Sequence, residues 1–309
     1  MAHPGIVWPE GRKFAFTFFE DPDAQSVAQS REVYGFLSDL GFRTTVGVWT
    51  MEPPERNSGG PTCQDHAYRE WIQELQRRGF EIGLHSVAPG SMTREGIIEG
   101  LAAFREYFGG DPVTFANHYN ADAMYWGANR LNGLNRAIYK AAMFGRGIDR
   151  FFGDKRGHPS FWGDLFQERI RYCRNFSFRD LNTLKECPMM PYRDPDRPYV
   201  NLWYSAAEAS NLTSFLERVT DESMDQLEEE GGASIIYTHF GHQYFDSGSL
   251  DPRFKKLMTR LSKKNGWFVP VKTLLGFLEA HGNGKTISAA DRDSMARRWL
   301  WTKLRYGTS

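Results

Sequence analysis

Cysteine is scarce in this chain, and its few copies are not arranged for use. Cys63, Cys173 and Cys187 are odd in number, widely spaced and never in a CxxC pair, which argues against a disulfide framework and against a thiolate metal site. An excess of one charge is missing too. Lysine plus arginine and aspartate plus glutamate both number 38, so the basic surplus of a nucleic-acid binder is not there. No stretch approaches the roughly 18 consecutive apolar residues of a membrane span. The amino terminus, MAHPGIVWPEGRK, has no basic start running into an apolar segment, so the expectation is a soluble, cytoplasmic protein. Internal repeats, low-complexity tracts and an obvious linker are also lacking. A length of 309 residues at 40% hydrophobic content therefore reads as one domain with a large core. The sequence leaves the oligomeric state open, a homo-oligomer included.

What the chain does have is alternation. KFAFTFF (13–19) reads as a strand, and SVAQSREVYGFLSDL (26–40) places Val33, Phe36, Leu37 and Leu40 on one helical face. Gly41 stands where a left-handed residue closes a helix. FRTTVGVW (42–49), HAYREWIQELQRR (66–78), FEIGLH (80–85), TREGIIEGLAAFREYF (93–108) and VTFANH (113–118) continue as strand, helix, strand, helix and strand. Such an order predicts a parallel sheet with crossover helices, whose reactive surface lies at the carboxyl ends of the strands. The middle, about 120–215, breaks the pattern with aromatic, Arg, Asn and Pro residues; it is read as two or three short helices before a strand at YVNLWYS (199–205). Order returns with helix DESMDQLEEE (221–230), strand ASIIYTH (233–239), helix DPRFKKLMTRLSKK (251–264), strand WFVP (267–270) and helix VKTLLGFLEAHG (271–282).

Polar residues fall at the ends of these strands. Glu20 and Asp21 follow the first, and His85, His118 and His239 end three others. Parallel neighbours would bring all of them to one rim. Asp23 is read as a turn former ahead of the first helix. A carboxylate with imidazoles is a zinc-type ligand set; a second carboxylate can take a proton from water, and a separate His can protonate a leaving group.

These residues resemble the polysaccharide deacetylases, the NodB-homology hydrolases of carbohydrate esterase family 4. FFEDPD (18–23) is similar to that family's T-F-D-D-G-P motif, GFEIGLHSVAP (79–89) to its second histidine motif, YTH (237–239) to its L-x-H motif, and WFVPVKTLLGFL to its ending. The resemblance is strongest over 13–118 and 233–280. It implies an α/β fold, a distorted (β/α)7-type barrel over 1–282 with an aromatic-rich insertion at about 120–215, and a divalent metal, zinc foremost, with cobalt or nickel as alternatives. It implies a hydrolase removing an acetyl group from an N- or O-acetylated sugar, in intracellular surface-polysaccharide metabolism. Carried over by position, Asp21 and His85 are metal ligands, Glu20 the base and His239 the leaving-group acid. A second register puts Phe19 at the base position and Glu20 at the metal. Pro89 stands where the family has its second metal His. His118 is inferred as the third ligand, a site with two protein ligands being the alternative. The family's base-bracing Arg is replaced near FANHYN by Asn117, His118 and Asn120.

The middle segment is expected to shape a carbohydrate groove, with Trp126, Trp162 and Trp203 as sugar platforms and Asn117, Arg130 and Asp164 as hydrogen-bonding candidates. His158 and His242 sit in loops, and His3, His66 and His281 look peripheral. The tail, 283–309, carries Arg297, Arg298, Trp299, Trp301, Lys303 and Arg305 on an expected helix. Docking of its Trp side on the chain's own domain or a sister subunit is weighed against a membrane surface. Two other functions stay open: an inactive barrel that binds glycan, and a C–N hydrolase of a small non-sugar amide.

Overall fold

A computed structural model describes residues 6–143 and 150–307; His3 lies outside them. The first strand, β1 (Phe14–Glu20), is buried along its whole length, as a strand covered on both faces must be. Its side chains alternate. Phe16 and Phe18 meet each other and the helix-side rings of Phe42, Phe215 and Phe240, while Phe19 lies against Arg174 of a strand across the sheet. The even positions of β1 thus face the helix layer and the odd ones the interior.

β2 (Thr45–Val48), β3 (Glu81–Leu84), β4 (Thr114–Phe115), β5 (Tyr172–Phe178), β6 (Leu202–Glu208) and β7 (Ala233–Thr238) follow in chain order. Each pairs in parallel with the next, and β7 pairs with β1 from Ala15↔Ala233 to Glu20↔Thr238. The result is a closed seven-stranded parallel barrel with flanking helices. β2 holds only the end of β1, at Phe19↔Thr45 and Glu20↔Val46; Gly266–Trp267 pairs with its beginning, at Phe14 and Ala15. WFVP is therefore a short wedge rather than a full barrel strand. Gly47 lets β1 and β2 come this close. A Cβ there would lie 2.4 Å from the Glu20 carbonyl oxygen, so any larger residue would displace the end of β1.

Three helices of the first half form as their sequence pattern dictates. α1 (Val27–Asp39) starts at a reciprocal cap between Ser26 and Gln29 and buries Val33, Tyr34 and Leu37. α2 (His66–Arg77), capped by Asp65, buries Tyr68, Trp71, Ile72 and Leu75. α3 (Arg94–Phe108), capped by Thr93, ends at Gly109 with φ 81°.

In the middle segment, where the expectation was two or three short helices before one strand at YVNLWYS, a further strand forms, β5. Its pairing with β6 shifts register between Arg174 and Ser177, a bulge that interrupts simple alternation. The tail forms a helix, Ala289–Tyr306, that buries Met295, Ala296, Trp299 and Leu300. Trp299 stacks on Tyr139 of helix Gly133–Ala142 and lies against Phe176 of β5, whereas Trp301 stays 67% exposed. No helix among the described residues is long and apolar enough to cross a membrane.

Candidate metal centre

At the carboxyl ends of β1, β3 and β4, the chain assembles a buried group of one carboxylate and two imidazoles. Asp23, His85 and His118 each offer a ligand atom, all within 4.8 Å of one another. His85 Nε2 lies 3.3 Å from Asp23 Oδ2 and His118 Nε2 lies 3.1 Å from Asp23 Oδ1. Trp49, fully buried, backs both rings at centroid distances of 5.9 and 5.4 Å.

Position follows from the pleat. Glu81, Gly83 and His85 share one face of β3. Glu81 accepts hydrogen bonds from the Thr45 and Thr114 hydroxyls inside the barrel, so two alternations later His85 reaches the rim on the same inner face. His118 follows β4; its backbone N–H donates to Ser86 Oγ, and its Nδ1 lies 3.0 Å from Asn120 Oδ1. That amide oxygen accepts, so Nδ1 carries the proton and Nε2 is left as a lone-pair donor.

The donor set fits a cation. Both ring nitrogens of His85 and Oδ2 of Asp23 are buried without a hydrogen-bond partner, a costly state unless something positive sits among them. The neutral His118 Nε2 and the Asp23 carboxylate also face each other as two acceptors. Burial works against the charged form of Asp23, but the two imidazoles facing it, where they carry a proton, outweigh burial and hold the carboxyl far below its ordinary range. His118 is shifted upward: burial opposes its charge, and the Asp23 carboxylate more than offsets that.

Asp21 stands beside this group, 3.6 Å from His85 Nδ1. Arg174 of β5 grips it with two parallel hydrogen bonds, of 2.9 and 2.5 Å. Both side chains are almost fully buried. His239, just past β7, lies 3.9 Å from Asp21 and 3.7 Å from Asp23. Its Nδ1–H donates to the Ser210 carbonyl at 2.7 Å, which turns Nε2 toward the carboxylates.

Asp21, Asp23, His85, His118 and His239 line one cavity of about 460 Å³. Its remaining wall includes Trp126, Arg130, Tyr139, Trp299 and Lys303. Asp21, His85, His118 and His239 come together, but the carboxylate that groups with the two histidines is Asp23. Nor does Asp23 cap α1, since Ser26 does. Glu20, expected as the base, has the parity of Phe16 and Phe18 and points to the helix layer, where its Oε2 accepts from the Tyr34 hydroxyl at 2.8 Å. Burial raises its pKa well above the ordinary value, with the neighbouring charges of Asp21 and Asp23 adding to the rise against the Tyr34 bond.

Trp126 and Arg130 line the cavity. Asn117 does as well, but its amide is engaged at both ends by the Met124 backbone. Trp162 and Trp203 are core residues, each 1% exposed: Trp162 packs on Phe115 and Phe166 and donates to the Asp122 carbonyl, and Trp203 packs on Tyr125. Asp164 pairs with Arg94 on the surface. None of these three lines the cavity, so none is a groove residue. Sequence reasoning missed Arg174 and the tail residues Trp299 and Lys303. Arg174 carried a partial signal, since it falls in the period-2 series Tyr172, Arg174, Phe176 and Phe178, a strand pattern in which one charge among aromatics needs a buried partner.

No protein-family model matches the chain, and no curated protein matches it. Among solved structures it is similar to one from Mycobacterium smegmatis, provisionally described as a polysaccharide deacetylase, with 13% identity over 94% of this chain and 99% of that one and a TM-score of 0.47. It is also similar to the peptidoglycan deacetylase PdaC of Bacillus subtilis, with 12% identity over 89% and 95% and a TM-score of 0.42. A third is a family 4 acetyl xylan esterase from Clostridium thermocellum in complex with a cobalt ion, with 13% identity over 87% and 92% and a TM-score of 0.41. The barrel itself is established by this chain's own strand pairing.

Proposed function

We propose that this barrel is a metal-dependent hydrolase that removes an acetyl group from an N- or O-acetylated sugar. The observation that carries the reading is the Asp23–His85–His118 group, with unpartnered buried ligand atoms opening into a cavity that also holds a second carboxylate and a third imidazole. A divalent ion held there, zinc foremost and cobalt or nickel as alternatives, supplies Lewis acidity toward an acyl oxygen and toward water.

The chain's own groups divide the remaining work. Asp21 accepts the proton of the attacking water, and Arg174 fixes its two oxygens so that the carboxylate cannot swing toward the metal ligands. His239, with Nδ1–H committed to Ser210, delivers a proton from Nε2 to the departing amine or hydroxyl. Asp23, His85 and His118 hold the ion, and Asn120 and Ser58 orient His118 and Asp23 from behind. Trp126 and Trp299 give the cavity aromatic faces suited to a sugar ring. Relative to the roles carried over from the sequence resemblance, the metal carboxylate moves from Asp21 to Asp23 and the base from Glu20 to Asp21.

Metal analysis of the purified protein tests this directly. The wild type is expected to hold about one divalent ion per chain. Asp23→Ala, His85→Ala and His118→Ala should lose it, and Asp21→Asn should keep it while losing deacetylation of N-acetylated sugar oligomers. A protein that takes up no divalent ion under any supply would overturn the mechanism.

A further inference from the structure

Among the described residues, the buried arginines have carboxylate partners, with one exception. Arg174 pairs with Asp21, Arg197 with Asp194, Arg218 with Glu217, and Arg292 with Asp194 and Asp196. Arg130 is equally deep, at 5% exposed, yet no carboxylate among the described residues forms an ion pair with it. Its hydrogen bonding amounts to one long contact, from a guanidinium N–H to the Asn175 carbonyl at 3.5 Å, and its Nε is buried without a partner. Trp126 and Trp299 cover it, 3.8 and 5.0 Å from the guanidinium carbon to the ring centres. Rings of this kind attract a cation, but they use none of its N–H donors.

A buried charge without a carboxylate partner is expensive, and among the described residues the aromatic faces and the one long hydrogen bond offset only part of that cost. The guanidinium lines the same cavity as the metal group. It is held by the short helical turn Gly127–Arg130 and by the tail helix through Trp299. Lys303 shares that wall, but its charge is answered by Glu208. Burial pushes the Arg130 pKa down to about 10, which leaves it positive at neutral pH.

We propose that Arg130 is an anion subsite, and that the substrate of this cavity is an acylated sugar bearing a carboxylate or phosphate group. This deepens the hydrolase reading and rests on it for what happens at the metal end. A planar fork with unused donors is the group that recognises carboxylate or phosphate oxygens. With the acyl group at the metal end and the anion between Trp126 and Trp299, one cavity orients the sugar by its two ends.

Equilibrium binding tests the proposal apart from turnover. The full chain is titrated by tryptophan fluorescence with N-acetylglucosamine, N-acetylglucosamine 6-phosphate and N-acetylmuramic acid, as purified and with EDTA, so that coordination of the anion to metal is separated out. In EDTA, at least one anionic sugar is expected to bind about tenfold or more tightly than the neutral one, the worth of one hydrogen bond to a charged group. Arg130→Gln should abolish the preference and Arg130→Lys keep part of it. A larger gain for the phosphate or for the carboxylate probe names the source of the anion. Equal binding of neutral and anionic sugars, no saturable binding of any anionic probe, or a preference that survives Arg130→Gln overturns the proposal. Arg130→Lys keeps the test readable where Arg130→Gln does not fold. Metal loading of the wild type stands unaffected by any of these results, so the hydrolase reading fails or holds on its own assay.

Discussion

Replacing Arg174 by methionine keeps most of its apolar stem and removes the charge that faces Asp21. The pair is buried on both sides, at 4% and 1% exposed for Arg174 and Asp21, and its two hydrogen bonds are parallel. At an effective dielectric near 20, two unit charges about 4 Å apart attract by on the order of 4 kcal/mol. Removing one member of such a pair costs about 3–5 kcal/mol, because the other charge is left buried alone. The cavity admits water on one side of Asp21, which places the expected loss near the lower end, about 3 kcal/mol. Asp21→Asn turns an amide N–H toward the guanidinium and should cost a comparable amount. Urea denaturation of the two single variants and the double variant then forms a cycle. The double variant is expected to fall short of the summed losses by about 2 kcal/mol or more. Additivity within about 0.5 kcal/mol would refute the claim that the two charges act as one unit. Arg174→Met should also lose roughly two orders of magnitude in deacetylation, the scale of a misplaced catalytic group, while its metal content stays that of the wild type.

His239→Gln should lower kcat by about 10²–10⁴ with metal retained, the range for loss of a positioned acid; an unchanged kcat on an acetylated sugar would remove His239 from the mechanism. Glu20→Gln should keep both metal and activity. Because burial raises the Glu20 pKa in the folded state, its protonated form is favoured there, and the stability it contributes is complete below the ordinary carboxylate range. That stability is lost as pH rises toward the raised folded value, so Glu20→Gln should gain on the wild type as pH increases from about 4.5. A stability difference that is flat in pH, measured by urea midpoints from pH 4 to 8, would contradict this. Asp164→Asn breaks only an exposed ion pair with Arg94 and should change stability by less than about 1 kcal/mol and activity not at all; lost activity would return Asp164 to the groove.

The barrel was legible because its helices carry their caps and stripes in plain order. Val33 and Leu37, or Tyr68, Trp71, Ile72 and Leu75, are buried where their spacing puts them, and parallel strands between such helices leave few topologies to choose from. β5 was hard to read for a physical reason. Arg174 and Asn175 are polar residues inside a strand, tolerated because one binds Asp21 and the other donates to Tyr192 across the fold. Their partners lie 153 and 17 residues away, so the local pattern does not show what would satisfy two polar side chains there. The tail was legible as a helix that could dock its Trp side on the chain's own domain, but its spacing gave no sign that Trp299 and Lys303 would close the wall of the cavity.

The acidic cluster at the end of β1 shows where sequence reasoning had unused information. Motif matching by position assigns the acids as neighbours, Glu20 then Asp21. The pleat assigns them by parity, and parity runs against the motif. Phe16 and Phe18 belong to the helix-facing side, so Glu20 must follow them outward to Tyr34, while Asp21 follows Phe19 toward Arg174. The alternation was present in KFAFTFFED and is sufficient to set Glu20 apart. Asp23 is different, because it lies beyond the strand, where no period applies. Its place depends on the turn at Ala24, held at φ 56°, and on Ser58, whose hydroxyl donates to Asp23 Oδ1 at 2.6 Å. The loop carrying Ser58 is itself positioned by Gly60, where a Cβ would lie 2.6 Å from the Pro22 carbonyl oxygen. An acid delivered by two loops that brace each other has no signature in its own segment, and only assembling the fold brings it to the histidines.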